Sequence, residues 1–209
     1  MARIAAIIAV FTTIVALAGL WLISRGAGNA DQFAECRQSQ VAGGTSAIGG
    51  SFELVTETGE TVTDQDVLTE PSLIYFGYTF CPDICPMDTL RNADAVTLLE
   101  DRGKIVKPIM ISIDPERDTP EVLAEFTDYL HPRMLGLTGS AAQVKAASQA
   151  FRTYYKKQEP EDGDAEYYLV DHSTFTYLTL PEIGFVEYFR RDVTPEKMAE
   201  RVGCFLDKV

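Results

Sequence analysis

The sequence predicts an α/β fold in which a mixed β-sheet is flanked by helices and preceded by an N-terminal apolar helix. Strand-like apolar runs alternate with amphipathic segments through the middle of the 209-residue chain, and two strand-like runs follow one another near its end. Alternating strands and helices favour parallel pairing, whereas consecutive strands favour antiparallel pairing. The two patterns together predict a mixed sheet.

The N-terminal apolar run covers residues 4–23, contains no charge, and is bracketed by Arg3 and Arg25. A helix of about 20 residues spans the roughly 30 Å hydrocarbon core of a bilayer. Trp21 lies near one end, where indole rings favour the membrane interface. A cleaved signal peptide is the alternative, but its apolar region normally has only about 7–15 residues. We therefore expect a retained transmembrane helix.

Three parts are expected along the chain. Residues 1–25 are the predicted membrane anchor, residues 26–47, rich in Gly, Ala, Ser and Gln, are a predicted flexible tether, and residues 48–209 are one predicted domain. A helix at the start of a chain commonly inserts with a short cytoplasmic N-terminus. The domain is therefore expected on the exported side of a membrane, in a periplasm or an intermembrane space.

The composition is that of an acidic globular protein. Hydrophobic residues make up 46% of the chain, which is typical of folded proteins. There are 31 acidic residues against 18 Lys and Arg, for a formal net charge of −13. Because such a surface repels phosphate groups, we expect no binding to nucleic acids.

The individual elements follow from local patterns. In chain order, the sequence predicts a hairpin (51–63, turning at Gly59), a buried strand (71–80), a helix (87–103), a strand (105–114), a helix (119–131), a short strand (135–139), a helix (140–151), paired strands (167–180 and 184–191) and a last helix from Thr194 towards Leu206. Thr119 is expected as an N-cap before Pro120, and Ser140 and Gln143 fit a capping box. A thioredoxin-like layout is the natural candidate for this order.

Two of the four cysteines, Cys81 and Cys85, lie in the stretch CPDICP directly after a buried strand. Proline is favoured at the first helical position, so a helix is expected to begin at Pro82 or Pro86 with a cysteine as its N-cap. Residues four apart share one helical face, and a helix N-terminus stabilises thiolate. The spacing alone leaves open a redox pair, half of a metal site, and a structural disulfide.

The chain has only two histidines. His131 ends a helix just before a proline and is expected on the surface. His172 closes an apolar strand beside Asp171, where the chain turns. A lone histidine is often structural, but two thiolates and one imidazole would form a compact three-coordinate site. Sulfur ligands select Cu(I), and an added nitrogen lets the same site hold Cu(II).

Three motifs, FGYTFCPDICPMD, SIDPERDTPEVLAEF and YLVDHSTFTYL, resemble in order and context those of the SCO/SenC family of membrane-anchored copper chaperones. The resemblance covers roughly residues 48–205. It implies a thioredoxin-like domain that binds copper, as Cu(I), Cu(II) or both, through Cys81, Cys85 and His172. It further implies a partner, cytochrome c oxidase subunit II, whose binuclear copper A site receives the copper or has its cysteines reduced. It leaves room for an upstream periplasmic copper donor.

A membrane-anchored thiol–disulfide oxidoreductase is the alternative function. In that case Cys81 is the expected attacking thiolate, Cys85 resolves the mixed disulfide, and copper is incidental. A copper chaperone is not a turnover enzyme, so no catalytic residue is expected unless this alternative holds.

The remaining cysteines, Cys36 and Cys204, suggest a structural bridge. On a helical wheel Cys204 falls off the apolar stripe of the last helix, and an exposed thiol on an exported domain is unusual unless it is paired. We hypothesise a Cys36–Cys204 disulfide that ties the tether to the last helix. An intermolecular bridge and two free thiols are the alternatives.

Three acidic residues lie near the expected site in sequence. Asp83, between the cysteines, could tune their charge, contact a partner, or simply stabilise a helix N-terminus. Asp171 could accept a hydrogen bond from His172 and orient it, and Asp114 could face the same end of the sheet. The neighbouring aromatic residues are expected to serve packing rather than to bind a cofactor: Tyr75, Phe76, Tyr78 and Phe80.

Overall fold

The structure is a computed structural model, and the residues it describes are 11–19, 21, 31–159 and 167–209. The chain divides into two compact units, Met1–Glu35 and Cys36–Val209. The larger unit contains the predicted sheet and helices.

Only part of the predicted membrane anchor lies within the described residues. Residues 11–19 and 21 are helical. The other positions of the predicted anchor, residues 1–25, lie outside the described part of the chain. Within that part, no helix combines the length and the apolar character that crossing a bilayer requires. The anchor therefore stays a prediction.

The larger unit contains nine strands among its described residues: β1 Glu53–Thr56, β2 Thr61–Thr63, β3 Ser72–Gly77, β4 Lys107–Ser112, β5 Leu135–Thr138, β6 Tyr155–Lys157, β7 Val170–His172, β8 Thr176–Leu180 and β9 Gly184–Phe189. Seven of them form one sheet in the order β2-β1-β5-β4-β3-β8-β9. The pairs β3–β4 and β4–β5 are parallel, and the other pairs are antiparallel. The predicted mixed sheet is thereby confirmed.

Helices flank this sheet: a 3-10 turn at Thr45–Ala47, then α1 Asp64–Val67, α2 Ile84–Glu100, α3 Pro120–Leu130, α4 Ala141–Ala150 and α5 Pro195–Leu206. The predicted caps are present. Thr119 accepts a hydrogen bond from the Val122 amide, and Ser140 and Gln143 form the reciprocal capping box. Such caps satisfy amides that a helix start leaves without intrahelical partners.

The strands at the centre of the sheet are buried on both sides. Every residue of β3 is buried, so helices must cover both faces of the sheet at this strand. Helix α2 packs against α5 and α3, and α4 packs against β1. Ile74 and Phe76 of β3 belong to a core cluster that also contains Phe151, just after α4. The buried β3 carries the chain directly to the cysteine pair.

The run 167–180 differs from its prediction as a single strand. Its first part is β7, which pairs with β6 in a separate two-stranded antiparallel sheet, here called the β6–β7 ribbon. Its second part is β8, which pairs with β3 and β9 in the main sheet. The chain turns between them at residues 173–175, which are not in a strand. The three residues of β6 were not predicted, because a short polar YKK run has no apolar alternation.

The prediction of His131 on the surface is wrong. Its side chain is only 6% exposed, and it lies 3.6 Å from Glu100 through Nε2. Its Nδ1 accepts a hydrogen bond from the Arg133 amide at 3.2 Å. The end of α3 packs near the end of α2, and this helix–helix contact covers a position that the sequence alone places at an exposed helix end.

Residues 36–47, predicted as part of a flexible tether, belong to the compact domain. Cys36 and Cys204 form a disulfide with their Cα atoms 5.7 Å apart. The Gln38 and Ser39 amides donate to Oε2 of Glu187 at 2.8 and 3.3 Å, and Arg201 pairs with the same oxygen at 2.5 Å. The disulfide and these hydrogen bonds fix the segment to β9 and α5.

Glu187 is a charged residue with 0% exposure in this contact. Burial alone would raise the pKa of its carboxyl group, but hydrogen bonds from Ser39 and Gln38 and the charge of Arg201 outweigh burial, so the pKa lies below its usual value. A buried carboxylate is tolerated only with such partners. The segment after Cys36 thus supplies hydrogen bonds that a buried charge of the domain needs.

Replacing both Cys36 and Cys204 by alanine is expected to lower the free energy of unfolding by about 2–5 kcal/mol, because the bridge closes a 168-residue separation and restricts the unfolded chain. Urea unfolding of the oxidised protein and of the double variant measures the difference. A midpoint shared by the two proteins would contradict a stabilising bridge.

Candidate metal centre

Three side chains from two separate regions of the fold converge at one end of the main sheet. Cys81 lies in the turn after β3, Cys85 lies in the first turn of α2, and His172 is the last residue of β7. Their Sγ, Sγ and imidazole nitrogen atoms all lie within 4.8 Å of one another. The Cys85 Sγ is 3.3 Å from His172 Nε2. The structure therefore brings together the three residues that the sequence singled out.

The helix that carries Cys85 does not begin where it was predicted. It starts at Ile84 with Asp83 as N-cap, rather than at Pro82 or Pro86 with a cysteine as N-cap. Cys85 precedes a proline, which disfavours helical backbone but is tolerated in a first turn, where amide hydrogens have no intrahelical acceptor. The Asp83 carboxylate makes no capping hydrogen bond. Instead, the Cys85 amide donates to Cys81 Sγ at 3.3 Å.

The two thiols differ in acidity. The hydrogen bond from the Cys85 thiol, together with the Cys85 amide, lowers the pKa of Cys81 well below that of an ordinary thiol, although burial opposes the shift. The same contact with Cys81 and the deeper burial of Cys85 raise the pKa of Cys85. A helix N-terminus also favours thiolate. Cys81 is thus the more acidic of the two thiols.

The tautomer of His172 follows from its backbone partner. Its Nδ1 lies 3.0 Å from the Ser173 carbonyl oxygen, which can only accept a hydrogen bond. In the neutral ring the proton therefore resides on Nδ1, and the lone pair of Nε2 faces the sulfurs. A ring held in this way is ready to act as a metal ligand.

Two tyrosines pack around the imidazole. The rings of Tyr75 and Tyr78 meet the His172 ring edge-on, at centroid distances of 6.1 and 5.9 Å. The Tyr78 hydroxyl accepts a hydrogen bond from the Val170 amide at 3.2 Å, and burial raises the pKa of Tyr78 to about 12. Both rings thus limit the movement of His172, and Tyr78 also holds the strand that carries it.

Tyr75 is fixed by a buried charged pair. Its hydroxyl donates to Asp88 at 3.2 Å, and Asp88 pairs with Arg91 at 3.5 Å. Gly77 is required beside it, because a Cβ there would lie 2.6 Å from the Tyr75 ring and 3.2 Å from Cys85 Sγ. Asp88 and Gly77 both lie in the quoted FGYTFCPDICPMD motif, but their contacts with Tyr75 were not predicted from the sequence.

Asp118 supports the cysteine turn from a neighbouring loop. Its carboxylate accepts hydrogen bonds from the Thr79 amide at 3.1 Å, from the Thr79 hydroxyl at 2.6 Å and from the Ser112 hydroxyl at 2.6 Å. Thr79 is two residues before Cys81. Asp118 belongs to the quoted SIDPERDTP motif, so the motif was noticed although the contact was not.

The other acidic residues lie in different places. Asp83 is exposed at the helix start. Asp171 is exposed and hydrogen-bonds Gln158, so Ser173 rather than Asp171 orients the His172 ring. Asp114 is buried at the same end of the sheet and accepts a hydrogen bond from the Tyr168 hydroxyl at 2.6 Å. Of the four aromatic residues considered, Tyr75, Phe76 and Tyr78 are buried, while Phe80 is 43% exposed.

The three side chains suit a soft, three-coordinate metal ion. Two sulfurs favour Cu(I), and one imidazole nitrogen allows Cu(II) to be held as well. Cys81 and Cys85 are free and buried, whereas His172 is only half-buried, so the cluster is accessible from the side of the imidazole. The chemistry of the donor set therefore fits copper.

Comparison with known proteins gives a consistent picture. The family model described as SCO1/SenC matches residues 40–207. Protein SenC of Rhodobacter capsulatus is 56% identical over 178 residues, covering 85% of this chain and 78% of that protein. Protein SCO1 homolog 1, mitochondrial, of Arabidopsis thaliana is 40% identical over 160 residues, covering 76% of this chain. The match spans only 47% of the length of the Arabidopsis protein.

A solved structure agrees in fold. The crystal structure of Arabidopsis thaliana ScoI with copper bound superposes with a TM-score of 0.72 at 39% identity. The superposition covers 77% of this chain and 99% of that one.

Alkylation of the reduced, metal-free protein tests the acidity of Cys81. Because the pKa of Cys81 is lowered, its rate constant with iodoacetamide should fall less than about threefold between about pH 8 and pH 6. An ordinary thiol, with a pKa of about 8.5, loses on the order of a hundredfold over that range. Peptide mapping after short labelling should find Cys81 modified before Cys85. A rate that falls in step with an ordinary thiol would contradict the lowered pKa.

Proposed function

The chain belongs to the SCO1/SenC family, and from this membership and the site geometry we propose that it is a copper chaperone. The observation that carries the proposal is the convergence of Cys81, Cys85 and His172, whose ligand atoms lie within 4.8 Å of one another. Copper is the cargo of this site rather than a resident cofactor. Relatives of this chain have been solved with copper bound, and the Sco family is described as cytochrome c oxidase assembly proteins.

Copper capture uses the different states of the three ligands. Cys81 supplies a thiolate, because its pKa is lowered, and His172 turns Nε2 towards the sulfurs while Nδ1 donates to the Ser173 carbonyl. Cys85 must lose its proton to act as a second thiolate ligand, so binding releases a proton and weakens as the pH falls. Two sulfurs hold the metal, and the nitrogen adjusts the balance between Cu(I) and Cu(II).

Copper release is proposed to proceed by ligand exchange with a partner. His172 lies on the β6–β7 ribbon, whereas the cysteines lie in the turn after β3 and at the start of α2, so His172 can move away while both sulfurs stay in place. Incoming cysteines of the partner then replace the ligands one at a time. We propose the copper A site of cytochrome c oxidase subunit II as the acceptor and an upstream periplasmic protein as the donor.

The proposed location is the exported side of a membrane, with residues 1–25 as the anchor. The Cys36–Cys204 disulfide supports this location, because structural disulfides persist in oxidising compartments and are rare in reducing ones. A tethered domain would stay near a membrane-bound oxidase.

A thiol–disulfide reductase is the second candidate function, and the unequal acidity of the two cysteines favours it. The Cys81 thiolate would attack a disulfide of the partner, forming a mixed disulfide and releasing one partner thiolate. Cys85, after losing its proton, would displace the second partner sulfur and leave a Cys81–Cys85 disulfide. Two electrons pass to the partner, and an external dithiol must restore the pair. The same thiols could first reduce a partner and later metallate it.

The variant His172→Ala separates the two functions. Under the chaperone proposal it should weaken copper binding by more than the roughly 10–100-fold typical of losing an outer partner of a metal ligand. Its rate of reducing a small aromatic disulfide should stay within about twofold of wild type, because the cysteine pair is intact. Competition with a copper chelator measures the first quantity and absorbance the second.

The matched control is His131→Gln, which changes the other histidine at a position outside the cluster. Its copper affinity should equal that of wild type. Unaltered copper affinity in His172→Ala would exclude the three-ligand site, and a disulfide-reduction rate that fell together with the affinity would exclude independent roles for the histidine and the thiols.

A further inference from the structure

The β6–β7 ribbon, which carries His172, is not part of the main sheet. Its position on the domain therefore depends on side chains rather than on a continuous ladder of backbone hydrogen bonds. One such contact is the Val170 amide donating to the Tyr78 hydroxyl. Another is Lys157 with Glu116, at 2.6 Å. In the proposed function His172 stays in place while copper is bound and moves away when copper leaves. The contacts that fix this ribbon therefore affect how the site holds copper.

Arg117 lies between the cysteine turn and the segment that leads into β7. Its guanidinium carbon is 3.6 Å from the ring centroid of Tyr168 and 4.4 Å from that of Phe80. Tyr168 is four residues before His172, and Phe80 directly precedes Cys81. One cation thus contacts an aromatic ring from each of the two chain segments that lead into the metal cluster.

A buried carboxylate fixes both members of this contact. Asp114, only 4% exposed, accepts hydrogen bonds from Arg117 Nε at 2.5 Å and from the Tyr168 hydroxyl at 2.6 Å. Lys157 Nζ lies 3.7 Å from the Tyr168 ring centroid as well. Cation–aromatic contacts strengthen when they are partly removed from water, as this one is. A planar guanidinium stacks and donates in a geometry that lysine cannot reproduce.

We propose that Arg117, Asp114 and Tyr168 form a latch that positions the β6–β7 ribbon and so holds His172 over the two sulfurs. Arg117 acts as a positioning residue through His172 and does not touch the metal. The latch rests on the proposed copper-binding function, and it governs how readily the nitrogen ligand leaves. It also assigns a role to the SIDPERDTP motif: Asp118 fixes the cysteine turn, and Asp114 and Arg117 fix the ribbon.

The first test compares Arg117→Met with Arg133→Met in the full chain. Both changes remove a partly buried arginine that forms ion pairs, but Arg133 contacts Glu70 and Glu100 instead of the ribbon. Transfer of copper from the loaded protein to a competing chelator should accelerate roughly tenfold or more in Arg117→Met, the size typical of disturbing a ligand's outer partner. Bound copper should remain one ion per chain, and Arg133→Met should match wild type. Equal transfer rates in Arg117→Met and wild type would overturn the latch.

The second test asks whether Arg117 acts through His172. In the double variant Arg117→Met/His172→Ala, copper transfer should be no faster than in His172→Ala alone, because the latch then has no ligand to position. Independent effects would instead add in free energy. Additive acceleration would overturn the latch and indicate a general loosening of the domain.

The third test uses the reduced protein without copper. Hydrogen exchange of the Val170 amide should become faster in Arg117→Met, while that of Ile109 in the main sheet should not change. Unchanged exchange at Val170 would overturn the latch whatever the copper data show. Faster exchange at Val170, with copper affinity unaffected by His172→Ala, would support the latch and reject the proposed copper function, so the two failures are distinguishable.

Discussion

The site depends on one contact between two parts of the fold that share no backbone pairing. Cys85 Sγ and His172 Nε2 approach to 3.3 Å, although the sulfur belongs to the start of α2 and the nitrogen to the β6–β7 ribbon. Different parts of the fold hold the two sulfurs and the imidazole nitrogen. The buried β3 and the α2 helix place the sulfurs, and the Ser173 carbonyl sets the tautomer of the imidazole. The proposed copper binding requires that the start of α2 and the β6–β7 ribbon keep these relative positions.

This arrangement reconciles firm binding with release. The sulfurs sit on a rigid base, because β3 is buried throughout and Asp118 fixes the turn through three hydrogen bonds. The nitrogen is on a small sheet that has no strand pairing with the main sheet, so its movement costs less than any movement of the main sheet. A chaperone needs that asymmetry, since a site closed equally on all sides would retain its metal. The Cys36–Cys204 disulfide joins other parts of the domain and involves none of the three residues of the metal cluster.

The main elements were predictable from the sequence for physical reasons, whereas the assignment of Cys81, Cys85 and His172 to one copper site came from the family resemblance. Strand and helix periodicity, the N-caps and the CPDICP spacing are local patterns that survive folding. The features that were not predicted depend on contacts between residues that are distant in sequence. Polar β6 exists because β7 pairs with it, His131 is covered by a neighbouring helix, and Gly77 is needed only because Tyr75 and Cys85 crowd it. Asp171 was considered as a partner of His172, but the partner is the Ser173 carbonyl, and a backbone carbonyl has no signature in sequence.

X-ray absorption at the copper edge of the loaded, reduced domain tests the central claim most directly, because it counts the ligand atoms around the metal without perturbing the protein. Two sulfur scatterers and one nitrogen scatterer are expected, the nitrogen with the outer-shell pattern of an imidazole ring. Coordination by sulfur alone, or by nitrogen and oxygen without sulfur, would contradict the convergence of Cys81, Cys85 and His172 on one metal ion.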